Sequence, residues 1–322
     1  MKRFIAILLS VILTISALVG CGGKAEPTKV RIAGVMNSPT ALLSHMIEKS
    51  EGNVSYVCNP VNLPNRIRHL LTDGECDIAV VPIDTACNIY KKANPKIKVI
   101  AGISVGGFEL VSTEDLTDLS NLKDKTVFLT ERDSLISNVF EYLIKGYGLT
   151  LRQNIEFNYA DDIYSLKESF KSEKADFALL TSAEAAAVKS EIKGLKSYNI
   201  TDELAKKFNH PSIITYCVIG NAEYIENNPD VIKTLLKDIE SSLKKSQNSK
   251  DTVKLGKKHN LLTDDVYGEE FLSACKPDFI SGEAMKTKLT AYFKMIRKFK
   301  SSLVNKVINK DDFFYIPKSE KE

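Results

Sequence analysis

Two stretches of the chain, about 100 residues apart, repeat one pattern: "ECDIAVVPIDTACNIYK" at 75–91 and "KADFALLTSAEAAAVKS" at 174–190. In each, an aspartate opens a short apolar run that passes through a turn into a helix-like segment. Asp77 corresponds to Asp176 and Ala79 to Ala178. A second echo joins 29–49 to "DKTVFLTERDSLISNVFEYLIKGYGL" at 124–149, again in the order strand, loop, helix. A period this long is too large for a solenoid repeat, so the chain reads as two similar lobes.

Inside each lobe the pattern is alternation. "KVRIAGV", "NVSYVCN" and "DIAVVPI" read as strands, separated by helices in "NSPTALLSHMIEKS" and "LPNRIRHLLTDGE". Ser38 is placed to cap the first of these, with Pro39 at the first helical position. Strands separated by helices imply parallel pairing in a layered α/β fold. Continuous apolar runs such as 78–81 fit strands covered on both faces. Between and after the lobes lie "VIAGISVGGFELVST" (99–113) and "HPSIITYCVIGN" (210–221), each long enough to cross from one lobe to the other. Two crossings make a hinge, and Gly106 and Gly107 supply backbone freedom in the first. The rest reads as helix. Asn228 is placed to cap 229–247, where Ile232, Leu235, Leu236, Ile239 and Leu243 form one apolar stripe for core packing.

The start of the chain predicts its destination. Lys2 and Arg3 precede an apolar run from Phe4 to Val19, the order of charge and grease in an export signal. That run is shorter than the roughly 20 residues that span a bilayer. Removing residues 1–20 takes away two lysine or arginine charges and no acid, so the formal charge falls from +3 to +1. A nearly neutral chain has no electrostatic footprint for nucleic acid. With 43% apolar residues in 322 it can bury two cores. Beyond Cys21 five cysteines remain, Cys58, Cys76, Cys87, Cys217 and Cys275. An odd number cannot all pair, and no spacing suggests a metal, so buried free thiols are expected.

Taken together, Leu18-Val19-Gly20-Cys21, "VRIAGVMNSPTALLSHMI", "LLTDGECDIAVVPIDTACNIYKK", "NLKDKTVFLTERDSLISNVFEYLIKGYGL", "HPSIITYCVIGNAEYIENNPDVIKTLLKDIESSL" and "INKDDFFYIP" resemble the solute-binding lipoproteins of ABC importers. The similar branch binds sulfonate, nitrate or thiamine pyrimidines. The resemblance spans essentially the whole mature chain and implies a type II periplasmic-binding-protein fold, two α/β lobes joined by two hinge crossings. It implies a signal peptide at 1–20, lipidation at Cys21 and a tether over 21–27. Lobe 1 is then expected at 28–110 and 214–322, and lobe 2 at 111–213. The expected protein is a monomer without cofactor or metal, held by its lipid on the extracytoplasmic face of the cell membrane. Its partners would be a small-molecule solute and the permease and ATPase subunits of the importer.

In such folds ligands collect where strands exit into helices. Asn37, Ser38 and Thr40 follow the first strand, and Pro82, Asp84 and Thr85 follow the third. Thr130, Arg132 and Ser134 occupy the matching exit of lobe 2, and Thr181 and Glu184 its echo; His210 begins the returning crossing. Each has a plainer role open to it. Ser38, Thr40, Asp84, Asp133 and Ser134 can cap helices, Glu131 with Arg132 can pair at the surface, and His210 can serve the hinge. Relatives that bind anions carry a glycine- and serine-rich turn where this chain has "LTERDSL". Glu131, Asp133, Asp84 and Glu184 against Arg132 therefore favour a neutral or cationic solute, such as a pyrimidine or other nitrogen heterocycle. A sulfonate- or nitrate-type anion receptor is the alternative. Enzymes share the fold too, namely chorismate-processing dehydratases and a pyrimidine synthase that consumes its own histidine. The sequence offers neither the cysteine cluster of the latter nor a Ser/His/Asp or metal constellation.

Overall fold

The computed structural model describes residues 26–49, 52–92, 96–130, 134–150, 152–208, 214–298, 301–308 and 310–317. In chain order, β1 (Thr28–Val35) leads through a 3-10 turn at Pro39–Leu43 into the short α1 (Ser44–Ile47). Then follow β2 (Val54–Val61), α2 (Ile67–Thr72), β3 (Ile78–Pro82), α3 (Ile83–Lys91) and β4 (Ile97–Val105). The second sheet begins with β5 (Phe108–Ser112), β6 (Lys125–Leu129), α4 (Leu135–Lys145), β7 (Ile155–Tyr159) and α5 (Ile163–Lys171). It is completed by β8 (Phe177–Thr181), α6 (Ser182–Glu191), β9 (Lys196–Asn199) and α7 (Ile200–Phe208). The chain returns through β10 (Tyr216–Asn221) to α8 (Ala222–Asn227), α9 (Pro229–Lys245), α10 (Ser249–Lys258), α11 (Glu269–Cys275), β11 (Pro277–Ser281), α12 (Gly282–Ile296) and α13 (Ser301–Val304).

Two sheets result, in the orders β2-β1-β3-β10-β4-β11 and β7-β6-β8-β5-β9. The strands of the repeated units pair in parallel, as alternation requires: β1 with β2 and β3, and β6 with β7 and β8. The crossing strands differ. β10 runs antiparallel between β3 and β4, and β5 antiparallel between β8 and β9. Each enters its sheet from the direction of the other, so its polarity is reversed. β7, β9 and β11 are strands beyond those that the sequence predicts. β11 is an edge strand that opens on Pro277, a place where the missing N–H costs no ladder bond.

The internal echo has a physical basis. The Asp77 carboxylate accepts the Arg31 backbone N–H at 2.9 Å, and the Asp176 carboxylate accepts the Thr126 N–H at 2.7 Å. Each aspartate thus ties the start of one strand to its neighbour in the same register, Ile32 opposite Ile78 and Val127 opposite Phe177.

Gly106 and Gly107 join β4 to β5 for different reasons. Gly106 has φ +63°, in the left-handed region that favours glycine. Gly107 has no room for a side chain, since a Cβ would lie 2.3 Å from Thr201 Oγ1. The α9 stripe is core: Ile232, Leu235 and Ile239 are fully buried and Leu243 nearly so, each stabilising by about 1.5–3 kcal/mol. Asn228 stands at the cap position of α9, but its side chain donates back to Tyr224 O at 2.8 Å instead of capping. The terminal 311–315 segment docks on the first sheet, with Tyr315 N–H donating to Val99 O at 2.9 Å. Among the described residues all five cysteines are free, and four are buried. Burial pushes the thiols of Cys58, Cys76 and Cys275 up to about 12. No helix among the described residues is long and apolar enough to cross a membrane.

Candidate functional site

The strand exits of the two sheets face each other across a small cavity. A chamber of about 120 Å³ is lined by Pro82 and Asp84 at the end of β3, Thr130 and Ser134 after β6, and Thr181 and Glu184 at the end of β8. A second chamber of about 60 Å³ shares Thr181, Glu184, Thr215 and Tyr216 with the first and adds Asn37 and Ser38 after β1. A larger recess of about 1020 Å³, beside Tyr90, Lys96 and Asn221, lies at the opposite end of the first sheet, remote from the strand exits.

Three helix N-termini converge on the first chamber, because each helix starts where its strand ends. Pro82, Ser134 and Thr181 stand at the N-cap positions of α3, α4 and α6. Ser38 caps the 3-10 turn by accepting the Thr40 N–H at 3.1 Å, and its hydroxyl donates to Val35 O at 2.6 Å. Ser134 Oγ accepts the Ser137 N–H at 3.3 Å. Capping and cavity lining thus coincide at Ser38, Ser134 and Thr181. Each such N-terminus carries partial positive charge.

Asp84 stands in the first turn of α3, two residues after the N-cap position, and its Oδ1 accepts the Thr85 N–H at 2.7 Å. Cys87, Cys217 and Tyr292 lie near Asp84 and line neither chamber. Burial raises the pKa of all three, and the charge of Asp84 adds to the effect. Glu184 behaves differently. It closes a capping box three residues after Thr181: its Oε2 accepts the Thr181 N–H at 3.0 Å and the Thr181 hydroxyl at 2.8 Å, and its own N–H donates to Thr181 Oγ1 at 3.2 Å. Burial raises its pKa, opposed by the two bonds from Thr181.

Other expected residues fall elsewhere. Thr40 is fully buried with its methyl group against Gly34, where a Cβ would come within 2.2 Å of it, and it does not line either chamber. Thr85 faces an outer groove with Leu63, Arg68 and Lys92. Arg132 and His210 lie outside the described residues, as do Cys21, Glu131 and Asp133. Sequence reasoning missed Phe108, Thr215, Tyr216 and Phe271. The first three stand where the chain changes sheets, and their position beside Gly107 and after the second crossing was the available signal. Phe271, on α11, carried none. Leu129, Ile136 and Leu179 complete the apolar wall of the larger chamber.

No protein-family model matches the chain, and no curated protein matches it by sequence. Solved structures do match. An ABC transporter from Parabacteroides distasonis aligns with a TM-score of 0.73 at 17% identity, over 89% of this chain and 99% of that one. The fold is the type II periplasmic-binding fold. The periplasmic aliphatic sulphonate binding protein SsuA from Escherichia coli aligns with a TM-score of 0.69 at 14% identity, over 91% and 93%. A ligand-binding component of an ABC-type import system from Staphylococcus aureus, with zinc bound, gives 0.63 at 15% identity, over 92% and 98%. Identities this low carry the type II fold and leave the solute to the cavity's own chemistry. Among the described residues no group of three His, Cys, Asp or Glu side chains is placed to hold a metal ion.

Proposed function

We propose that this protein is the extracytoplasmic solute-binding lipoprotein of an ABC importer, and not an enzyme. The supporting observation is the cavity itself. It draws its lining from the strand exits of both sheets, so a solute inside contacts both lobes at once and only the closed form offers all its contacts. The boundary expected between 110 and 111 falls inside β5, which pairs wholly within the second sheet, and this favours a boundary at Gly106–Gly107 instead. The second change of lobe falls before Ile214. Residues 1–20 act as the signal, Cys21 is acylated, and the monomer hands its solute to a membrane permease driven by cytosolic ATPases.

The solute is a small neutral or cationic organic molecule, such as a pyrimidine, a thiamine precursor or another nitrogen heterocycle. Among the described lining residues there is no Lys, Arg or His, while Asp84 supplies an acceptor and Phe108, Leu129, Ile136, Leu179 and Tyr216 supply apolar faces. Three helix N-termini suit the electron-rich edge of such a ring. Those same N-termini favour a second reading, a sulfonate-type anion, which is what E. coli SsuA is described as binding.

A thermal-shift screen of pyrimidines, thiamine precursors, flavins, amines and sulfonates tests the choice, with titration calorimetry on any hit. Micromolar binding, roughly 8 kcal/mol, is expected for a neutral or cationic compound and is lost in Asp84→Ala. Stabilisation by sulfonates alone overturns the charge reading. A hit whose binding is unchanged in both Asp84→Ala and Glu184→Ala overturns the placement of the site.

A further inference from the structure

The segment between α10 and α11 touches the solute loop on one side and the second lobe on the other. Asn37, at the exit of β1, has φ +52°, and its hydrogen bonds to Leu261 and Thr263 hold it to that segment. Its N–H donates to Leu261 O at 2.8 Å, its Nδ2 to Thr263 Oγ1 at 3.1 Å, and the Thr263 N–H donates to its Oδ1 at 2.9 Å. The next residue, Asp264, reaches across the cleft. Its Oδ1 accepts the Val266 N–H at 3.1 Å and the hydroxyl of Tyr164, which belongs to α5 in the second lobe. Beyond it Tyr267 packs edge-on against Phe271, with ring centroids 5.1 Å apart. Phe271 lines the smaller chamber opposite Ala183, and α11 packs along α6. Where the lobes meet, a Cβ on Gly106 would lie 3.0 Å from Ala274 O and 3.1 Å from Ser182 Cβ.

We propose that residues 261–275 form a clasp that holds the lobes together, with the Tyr164–Asp264 bond as its lock and Asn37 as its link to the solute loop. Asn37, Asp264 and Phe271 sit on one bonded segment, so a solute that orders the loop at 37–38 also sets the acceptor that Tyr164 must find. Hydrogen bonding to Asp264 and burial push the Tyr164 phenol up to about 12, so it remains a donor at any physiological pH. The lock needs no solute and gives the empty receptor a populated closed form. The link to solute rests on the cavity being the binding site, as proposed above.

The test uses the full chain without solute. Tyr164→Phe removes the lock alone, at a side chain that is 45% exposed, so folding is preserved and is checked by circular dichroism. Losing a bond to a carboxylate is expected to lower the closed-to-open ratio about tenfold. The change is read as a larger radius of gyration in small-angle scattering and faster amide exchange on the facing surfaces of α6 and α11. An unchanged radius and unchanged exchange overturn the lock, whatever the solute screen finds. Asn37→Gly keeps the left-handed backbone and removes the side-chain bonds to Thr263. In that background Tyr164→Phe is expected to have a smaller effect, and full additivity of the two changes overturns the link.

Discussion

Thr181→Val removes one hydroxyl and almost no volume, yet that hydroxyl both caps α6 and donates to a half-buried carboxyl. The backbone N–H of residue 181 still reaches Glu184, but the 2.8 Å bond from the hydroxyl and the acceptor of the Glu184 N–H are gone. Losing the cap costs about 1 kcal/mol, and leaving the half-buried carboxyl short of a donor costs about 1–2 kcal/mol more. At about 2–4 °C per kcal/mol for a large domain, the melting temperature falls by roughly 4–12 °C. The loss also depends on pH. Burial already raises the Glu184 pKa, so the native state binds that proton more tightly than the unfolded chain does. The parent therefore loses stability as pH rises from the ordinary glutamate range, about 4.3, through the native value. Without the hydroxyl the native pKa climbs further, so the deficit of Thr181→Val is larger at pH 8 than at pH 5. Urea unfolding followed by circular dichroism at both pH values measures it, and Glu184→Gln, which cannot ionise, flattens the pH dependence. Equal stability of parent and variant, or a larger deficit at pH 5, would refute the account of the Thr181–Glu184 box.

Further outcomes follow from single contacts. Asp84→Asn weakens solute binding while Thr85→Ala leaves it unchanged, because only Asp84 lines the chamber; calorimetry with the best solute reads both. Gly34→Ala forces a Cβ within 2.2 Å of the buried Thr40 methyl. The resulting overpacking costs about 1–3 kcal/mol in denaturant unfolding and displaces the solute loop. The five described cysteines react slowly with a thiol-specific disulfide reagent in the native protein and readily in urea, because burial disfavours their thiolates. Rapid native labelling of Cys76 or Cys275 would contradict their burial.

Much of the frame was legible in the sequence because it depends on short-range rules. Alternating apolar runs and caps set the parallel units, and the pair Asp77 and Asp176 marked a repeat that the backbone bonds to Arg31 and Thr126 explain. Ser38, Pro39 and Ser134 announced helix starts, and since strand exits and helix starts coincide in this fold, the same residues announced the cavity's edge. Asp84 raised the question of a carboxylate after an apolar strand, and the structure gives it a cavity to face and a backbone N–H to accept.

Tertiary structure decided what no local pattern encodes. The polarity of β5 and β10 follows from the direction in which the chain re-enters each sheet, and that brings Phe108, Thr215 and Tyr216 into the cavity. Phe271 arrives there from a helix almost 200 residues after β3, and Tyr164 meets Asp264 across 100 residues of chain. Thr40 follows the first strand in the sequence, and folding buries it as the packing partner of Gly34. The pKa of Glu184 is raised by burial and lowered by the Thr181 hydroxyl, both fixed only when the chain is folded. Propensity and periodicity act over a few residues, whereas register, desolvation and the meeting of two lobes depend on parts of the chain that are distant until it folds.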